Sequence, residues 1–140
     1  MTVNLFTLYV FEKVCGKQPA EARDLLAPAP RARTLGAYLA APDFGAWKRD
    51  PFLALILYVQ LQEAFGWEAY RRLFAEYRAL PRAECPVDDA AKRDQWLVRF
   101  SRAVGRNLGP LFQAWGVPTS AKARREVEAL PVWMPVDWPK

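Results

Sequence analysis

Apolar residues recur along the chain at intervals of three and four, and this spacing predicts helices almost from one end to the other. In the first predicted helix, which runs to about Cys15, one face carries Val3, Phe6, Val10 and Val14. Most of its remaining surface is also apolar, through Leu5, Leu8, Tyr9 and Phe11. A helix that is apolar nearly all round is typical of a domain interior, so we expect it to be buried.

Proline, glycine and capping residues divide the rest of the chain into shorter helices. Asp50 before Pro51 is a typical helix start, and Gly66 separates two central helices. Asp88 or Asp89 caps a later helix. The predicted helices cover residues 19–27, 33–40, 52–65, 67–80, 89–104, 110–115 and 121–130.

The predicted fold is all-α, because no alternating strand pattern interrupts these helices. We expect a compact multi-helix bundle with short connecting helices. Residues 131–140 are rich in Pro and Trp and predict an extended C-terminal tail. The length of 140 residues is enough for one domain and too small for two, so residues 1–140 are expected to form a single helical domain.

The chain contains no His, which excludes a Ser-His-Asp triad, a Cys-His pair and an HExxH zinc site within these residues. Cys15 and Cys85 are too few for a closed structural zinc site. They either form one disulfide or remain free thiols, and buried free thiols are the more frequent case. We therefore predict no catalytic residue, no metal ligand and no cofactor in this chain.

The 20 basic and 15 acidic side chains give a net charge of +5, and the excess lies entirely in residues 71–140. Four basic residues recur at intervals of seven, three and four on one predicted helix, and we call them the basic stripe: Lys92, Arg99, Arg102 and Arg106. The stripe is either a contact surface for an anionic partner or a solvated helix face. The second interpretation is favoured and nucleic acid is disfavoured as a partner, because aspartates such as Asp94 dilute the stripe and no nucleic-acid motif accompanies it.

Six tryptophans are many for this length, and in small helical domains they are more often core residues than exposed ones. Trp133 and Trp138, in the Pro-rich tail, are the better candidates for exposure. Glu63, near the end of an apolar central helix, is expected to be a paired structural acid.

The first residues lack the basic region of a signal peptide, and the longest apolar run, Phe52 to Val59, is too short to cross a bilayer. A soluble chain without a membrane span or a signal peptide is therefore expected.

A series of sequence blocks carries the strongest functional signal. The blocks are Thr2-Val-Asn-Leu-Phe-Thr-Leu-Tyr9, Asp50-Pro-Phe-Leu53, Phe65-Gly-Trp67, Leu73-Phe-Ala-Glu-Tyr77, Lys92-Arg-Asp-Gln-Trp96, Gly105-Arg-Asn-Leu-Gly-Pro110, Phe112-Gln-Ala-Trp-Gly-Val-Pro118 and Leu130-Pro-Val-Trp133. In their order and spacing they resemble the C-terminal helical region of the enhancin-like zinc metallopeptidases. This gluzincin family cleaves mucin-type glycoproteins.

The resemblance implies a parent enzyme whose zinc is held by the two His of an HExxH helix and by a later Glu that precedes the first helix of this chain. It implies a non-catalytic subdomain of a secreted or cell-surface metallopeptidase, with zinc and the glycoprotein substrate bound in the parent. The subdomain would pack against the catalytic half and form one wall of the substrate cleft. A second copy of the chain is the other partner that we expect. Leu5, Leu8, Val3 and Phe11 of the first helix cannot all face one small core, so without the catalytic half part of this apolar surface should stay exposed and favour self-association.

Two polar residues of the first helix become site candidates under this resemblance. If the missing Glu sits at the start of that helix, Asn4 and Thr7 share its face and can support the metal site or line the cleft. The alternative for Asn4 is a hydrogen bond to a neighbouring backbone carbonyl. The alternative function for the whole chain is a stand-alone helical binding module whose basic face contacts nucleic acid or acidic glycan.

Overall fold

Eight α-helices account for most of the regular structure in the computed structural model of the protein, which describes residues 2–136 and 138. They are α1 Thr2–Lys13, α2 Pro19–Ala22, α3 Pro28–Leu39, α4 Phe44–Arg49, α5 Pro51–Ala79, α6 Asp89–Val104, α7 Gly109–Ala114 and α8 Ala121–Arg125. Short 3-10 turns occupy Asp24–Leu26 and Arg82–Glu84. The described residues contain no strand beyond one isolated bridge, so the all-α prediction is confirmed.

The described residues divide into two compact units, one of residues 2–63 with residue 138 and one of residues 64–136. The division falls within α5, three residues before Gly66, whose φ of 72° and ψ of 174° are not helical. Gly tolerates this backbone conformation because it has no Cβ. The expected single domain stays a prediction, and each unit is described by itself.

The core of the first unit is built around the beginning of α5. Every residue of the run 53–57 is at most 7% exposed, as expected for a segment that is apolar on all sides. Asp50 caps this helix, since its Oδ1 accepts hydrogen bonds from the backbone N–H groups of Phe52 and Leu53 at 2.9 and 3.0 Å. The start predicted from Asp50 and Pro51 is confirmed.

Helix α1 differs from its prediction, because only one side of it is covered. Leu5 and Leu8 are 1% and 2% exposed. The opposite side carries exposed apolar residues: Val3 at 71%, Phe6 at 50%, Val10 at 48% and Val14 at 75%. The expectation that α1 is buried all round was therefore wrong, since a unit of this size packs against one side of the helix only.

Two helix boundaries were also predicted wrongly, and one short helix was not predicted. α3 begins at Pro28 rather than near residue 33, because the first turn of a helix tolerates Pro28 and Pro30. The short α4 was not predicted at all. It is capped by Asp43, whose carboxylate accepts hydrogen bonds from the N–H groups of Ala46 and Gly45 at 2.7 and 3.1 Å. α8 ends at Arg125 instead of residue 130 and is followed by turns.

The core of the second unit is aromatic. Phe100 and Trp115 are fully buried, and the Trp96 ring stacks on the Phe100 ring with 4.7 Å between centroids. Tyr70 contacts Phe100 from α5 at 5.0 Å. These contacts agree with the expectation that most tryptophans are core residues, and Trp47 and Trp67 are buried as well.

The tail of the second unit is extended and is attached by backbone hydrogen bonds. The N–H of Asn107 donates to the carbonyl of Pro131 at 2.9 Å, and the N–H of Trp133 donates to the carbonyl of Asn107 at 3.1 Å. The half-buried Trp133 ring lies 4.9 Å from Phe65. Residues 137, 139 and 140 of the predicted tail lie outside the described residues. Within residues 2–136 and 138, no helix is both long and apolar enough to span a bilayer.

Candidate functional site

The uncovered side of α1 is an apolar surface of the first unit, and we call it the α1 apolar face: Val3, Phe6, Val10 and Val14. Intervals of three, four and four keep these side chains on one side of a 3.6-residue helix. Contiguous exposed apolar surface of this kind marks an interaction site more often than isolated exposed residues do.

Asn4 and Thr7 lie one turn apart beside the α1 apolar face. Thr7 is exposed, and its hydroxyl donates back to the carbonyl of Val3 at 3.4 Å. Asn4 is half-buried, and its side chain makes no hydrogen bond within the described part of the chain, so the alternative of a bond to a neighbouring carbonyl is not realised there. Their role near a metal or a substrate stays a prediction.

The residues present do not fit a catalytic zinc ion. Such a site needs three protein ligands and one open position, and residues 2–136 and 138 contain no group of three or more His, Cys, Asp or Glu able to hold a metal. Cys15 and Cys85 are both free and both exposed, so the expectation of buried thiols was wrong. Cys15 follows the end of α1 and Cys85 lies in the segment between α5 and α6, where little of the chain covers them. No catalytic step follows from these residues.

Glu63 was expected to be a paired structural acid, and the structure confirms the pairing. Its Oε1 lies 2.6 Å from Nη1 of Arg31. The Arg31 side chain is only 14% exposed, whereas that of Glu63 is 48% exposed. The Glu63 carboxylate therefore balances the charge of the more buried Arg31 side chain. It is not an unpaired acid that could take part in catalysis.

Within the basic stripe, Arg99 is the most strongly engaged residue. Its guanidinium lies 3.2 Å from a carboxylate oxygen of Glu76 and 3.7 Å from one of Glu84. It also lies over the Tyr77 ring, 5.9 Å from the centroid. Burial raises the pKa of Tyr77 to about 12, although the Arg99 charge opposes this rise. Arg99 thus holds α5, the following loop and α6 together within the second unit.

The other stripe residues have local partners. Arg102 pairs with Glu126 at 3.0 Å, and Lys92 pairs with Asp89 at 3.0 Å. Arg106 donates to the carbonyl of Gly105 at 3.1 Å. Three of the four cations therefore face a carboxylate, which agrees better with a solvated helix face than with an anion-binding surface. Use of the stripe by an anionic partner stays a prediction.

A groove of about 360 Å³ lies between α6 and α8 in the second unit and takes in two of the four stripe residues, Arg99 and Arg102. Its apolar lining includes the buried Val98 and Ala123. The Asp94 carboxylate, also in the lining, accepts a hydrogen bond from the N–H of Ser120 at 2.8 Å and joins the start of α8 to α6. The periodicity of the sequence did not reveal this groove, because its two sides come from distant segments.

The described residues thus combine an all-α fold with an exposed apolar face on α1. The sequence model of Peptidase M60, enhancin and enhancin-like, matches residues 1–116, so the chain belongs to this family. The suspected resemblance to the enhancin-like family is thereby confirmed. This is a zinc metallopeptidase family, and the chain is a peptidase-related module.

Relatives of the chain are considerably longer than the chain itself. TRPM8 channel-associated factor 2 of Homo sapiens is 40% identical over 136 residues, which cover 94% of this chain and 14% of that protein. A TRPM8 channel-associated factor homolog of Danio rerio is 38% identical over 133 residues, with the same coverage. The chain thus spans about one seventh of the length of these relatives.

A solved structure has the same fold. The crystal structure of a functionally unknown conserved protein from Bacillus anthracis str. Ames matches with a TM-score of 0.77 and 30% sequence identity. The match covers 95% of this chain and 27% of that protein's chain. The helical arrangement therefore also occurs within a larger bacterial protein.

Proposed function

We propose that the chain is the C-terminal helical subdomain of a secreted zinc metallopeptidase that acts on mucin-type glycoproteins. In isolation the subdomain is non-catalytic, and in the parent protein it forms one wall of the substrate cleft. One observation carries the proposal: the family match extends over residues 1–116 of a chain that contains no His. The zinc-binding residues of the enzyme would therefore belong to another part of the parent.

The α1 apolar face supports this function, because it gives the subdomain a surface with which to contact the catalytic part. Phe6 and Val10 lie near its centre and are about half exposed. Burying such side chains against a second apolar surface contributes roughly 25 cal/mol per Å². In this arrangement Asn4 and Thr7 lie at the edge of the contact, where their polar groups can hydrogen-bond to residues around the metal or to the substrate.

The experiment that tests the proposal starts with the reading frame upstream of Met1. We expect an in-frame HExxH motif followed by a Glu just before the start of this chain. The longer protein should hydrolyse mucin, lose this activity with a chelator, and lose it again when the Glu of HExxH is replaced by Gln. An upstream sequence without the motif would contradict the metallopeptidase function.

A second candidate function is suggested by the names of the relatives. The human and zebrafish proteins at 38–40% identity are named as factors associated with the TRPM8 channel. On this alternative the chain is a helical module of an accessory protein, and the α1 apolar face contacts a protein partner instead of a catalytic half. Co-precipitation of the parent protein with a TRPM8 channel, together with absence of the zinc motif upstream, would favour it. The basic binding module has less support, because three stripe residues already pair with carboxylates.

A further inference from the structure

The groove between α6 and α8 has no role in the proposed function, yet its composition points to a ligand. We propose that it binds a short acidic peptide segment of a protein partner. Two groups are positioned to bind the carboxylates of the peptide, namely Lys122 and Arg102. Two other lining residues, Gln95 and Arg99, each have a polar atom without a hydrogen-bond partner within the described residues, and these atoms could hydrogen-bond to its backbone.

The charged lining of the groove consists of three cations, Arg99, Arg102 and Lys122, and two carboxylates, Asp94 and Glu126, and this excess of one positive charge favours a carboxylate ligand. Lys122 is exposed and makes no ion pair within residues 2–136 and 138, so its ammonium group has no fixed counter-charge there. The Arg102 side chain is 59% exposed and uses only Nη2 to contact Glu126. A guanidinium has five N–H donors in a planar fork, so Arg102 can bind a second carboxylate without releasing the first.

The backbone of a peptide matches the unused polar atoms of the groove residues. Gln95 donates through Nε2 to the carbonyl of Glu84 at 2.8 Å, so Oε1 is left as an acceptor. Within the described residues, Oε1 of Gln95 and Nε of Arg99 are buried without a hydrogen-bond partner. Buried polar groups are normally paired, and a peptide group offers both the N–H donor and the carbonyl acceptor that these two atoms lack. Small rotations of the two side chains are needed to expose the atoms to the ligand.

The size and lining of the groove also favour a peptide over a nucleic acid. A volume of about 360 Å³ is at the lower end of ligand pockets and suits a few residues. Val98 and Ala123 give the aliphatic part of a glutamate side chain an apolar surface. Lys92 and Arg106, which an extended phosphate backbone would use, do not line the groove.

The test is fluorescence anisotropy of the 140-residue protein with a fluorescein-labelled peptide of alternating Glu and Ala. Lys122→Glu should raise Kd roughly tenfold, the order expected when one contacting charge near the surface is reversed. Lys92→Glu is the matched control, because it makes the same charge change near the start of a helix but outside the groove. It should change Kd less than about twofold, as for a distant screened charge. Circular dichroism checks that both variants are folded.

Competition experiments define the ligand class. Unlabelled Glu-Ala peptide should displace the probe, whereas citrate at the same carboxylate concentration should displace it poorly, because citrate has no peptide groups. Equal competition by citrate, equal loss of binding in the two variants, or no binding of the peptide would each overturn the proposal. Tighter binding of heparin or single-stranded DNA with the same Lys122 dependence would overturn it in favour of a polyanion surface.

Discussion

Helices α1 and α6 expose opposite kinds of surface to solvent. The outward side of α1 carries apolar residues such as Val3 and Phe6, which are 71% and 50% exposed. The outward side of α6 carries the basic stripe, in which Lys92, Arg99 and Arg102 face carboxylates. Ion pairs at the surface remain well solvated and cost little free energy. A row of exposed apolar side chains is unfavourable in water, and burial against another surface would lower its free energy. The charged side of α6 therefore needs no apolar partner, whereas contact with a further apolar surface would stabilise the exposed side of α1.

The largest expected effect separates a fully buried aromatic residue from a half-exposed one on these two helices. Phe100 of α6 is fully buried, so Phe100→Ala should lower the free energy of unfolding by about 3–5 kcal/mol. Phe6→Ala on α1 is the control, and it should cost clearly less, about 1 kcal/mol, because half of this side chain is exposed. Urea unfolding followed by circular dichroism measures both. Equal losses would mean that Phe6 is covered within this chain and that the contrast between the helices is wrong.

The second prediction concerns association through the α1 apolar face. The isolated chain should self-associate at high concentration, because exposed apolar surface favours contact with a second copy. Replacing both Phe6 and Val10 by Ser should shift the protein towards monomer in sedimentation velocity experiments without changing its circular dichroism spectrum. Replacing Arg102 and Arg106 by Ser is the control on the charged surface and should leave association unchanged. A wild-type chain that stays strictly monomeric at high concentration would contradict self-association through the α1 apolar face.

A smaller effect distinguishes the two aspartates at the start of α6. The Asp88 side chain accepts a hydrogen bond from the N–H of Ala91 at 2.7 Å, whereas Asp89 is the first residue of the helix. Asp88→Ala should therefore lower the free energy of unfolding by about 1 kcal/mol, the usual cost of losing an N-cap. Asp89→Ala should cost clearly less. A larger loss for Asp89 than for Asp88 would show that the cap is assigned to the wrong residue.

The smallest effect is a pH dependence in the second unit. The pKa of Tyr77 is raised to about 12 by burial, so the folded protein holds this proton more tightly than the unfolded chain, whose tyrosine ionises near pH 10. This contribution to stability is complete below about pH 10 and is lost progressively as the pH rises towards 12. Tyr77→Phe should unfold with a weaker dependence on pH in this range. An unchanged alkaline dependence in the variant would contradict the raised pKa.

Local patterns explain which parts of the fold were predictable. The cap at Asp88, the break at Gly66 and the buried run 53–57 are each encoded within a few neighbouring residues. Helix α4 was missed because its six residues are too short for a periodic pattern and include Gly45. The apolar pattern of α1 indicated more apolar surface than a small core can cover, but such a pattern does not show which side of the helix the rest of the chain leaves exposed.

The candidate sites depended still more on non-local structure. The groove between α6 and α8 is joined by the contact of Asp94 with Ser120 and by the pair of Arg102 with Glu126, residues that are 26 and 24 positions apart. No local pattern indicates such contacts. The basic stripe was visible in the sequence, but its carboxylate partners, among them Glu76, come from other segments of the chain.

Contact of α1 with the catalytic part of a metallopeptidase can be measured as binding between this chain and that part, produced as a separate protein from the sequence upstream of Met1. We predict a one-to-one complex in isothermal titration calorimetry and recovery of mucin hydrolysis on mixing. Phe6→Asp should abolish both, because it places a charge within the α1 apolar face, whereas Arg106→Asp should change neither. Failure to form a complex, or a complex that tolerates Phe6→Asp, would contradict the claim that α1 joins this subdomain to a metallopeptidase.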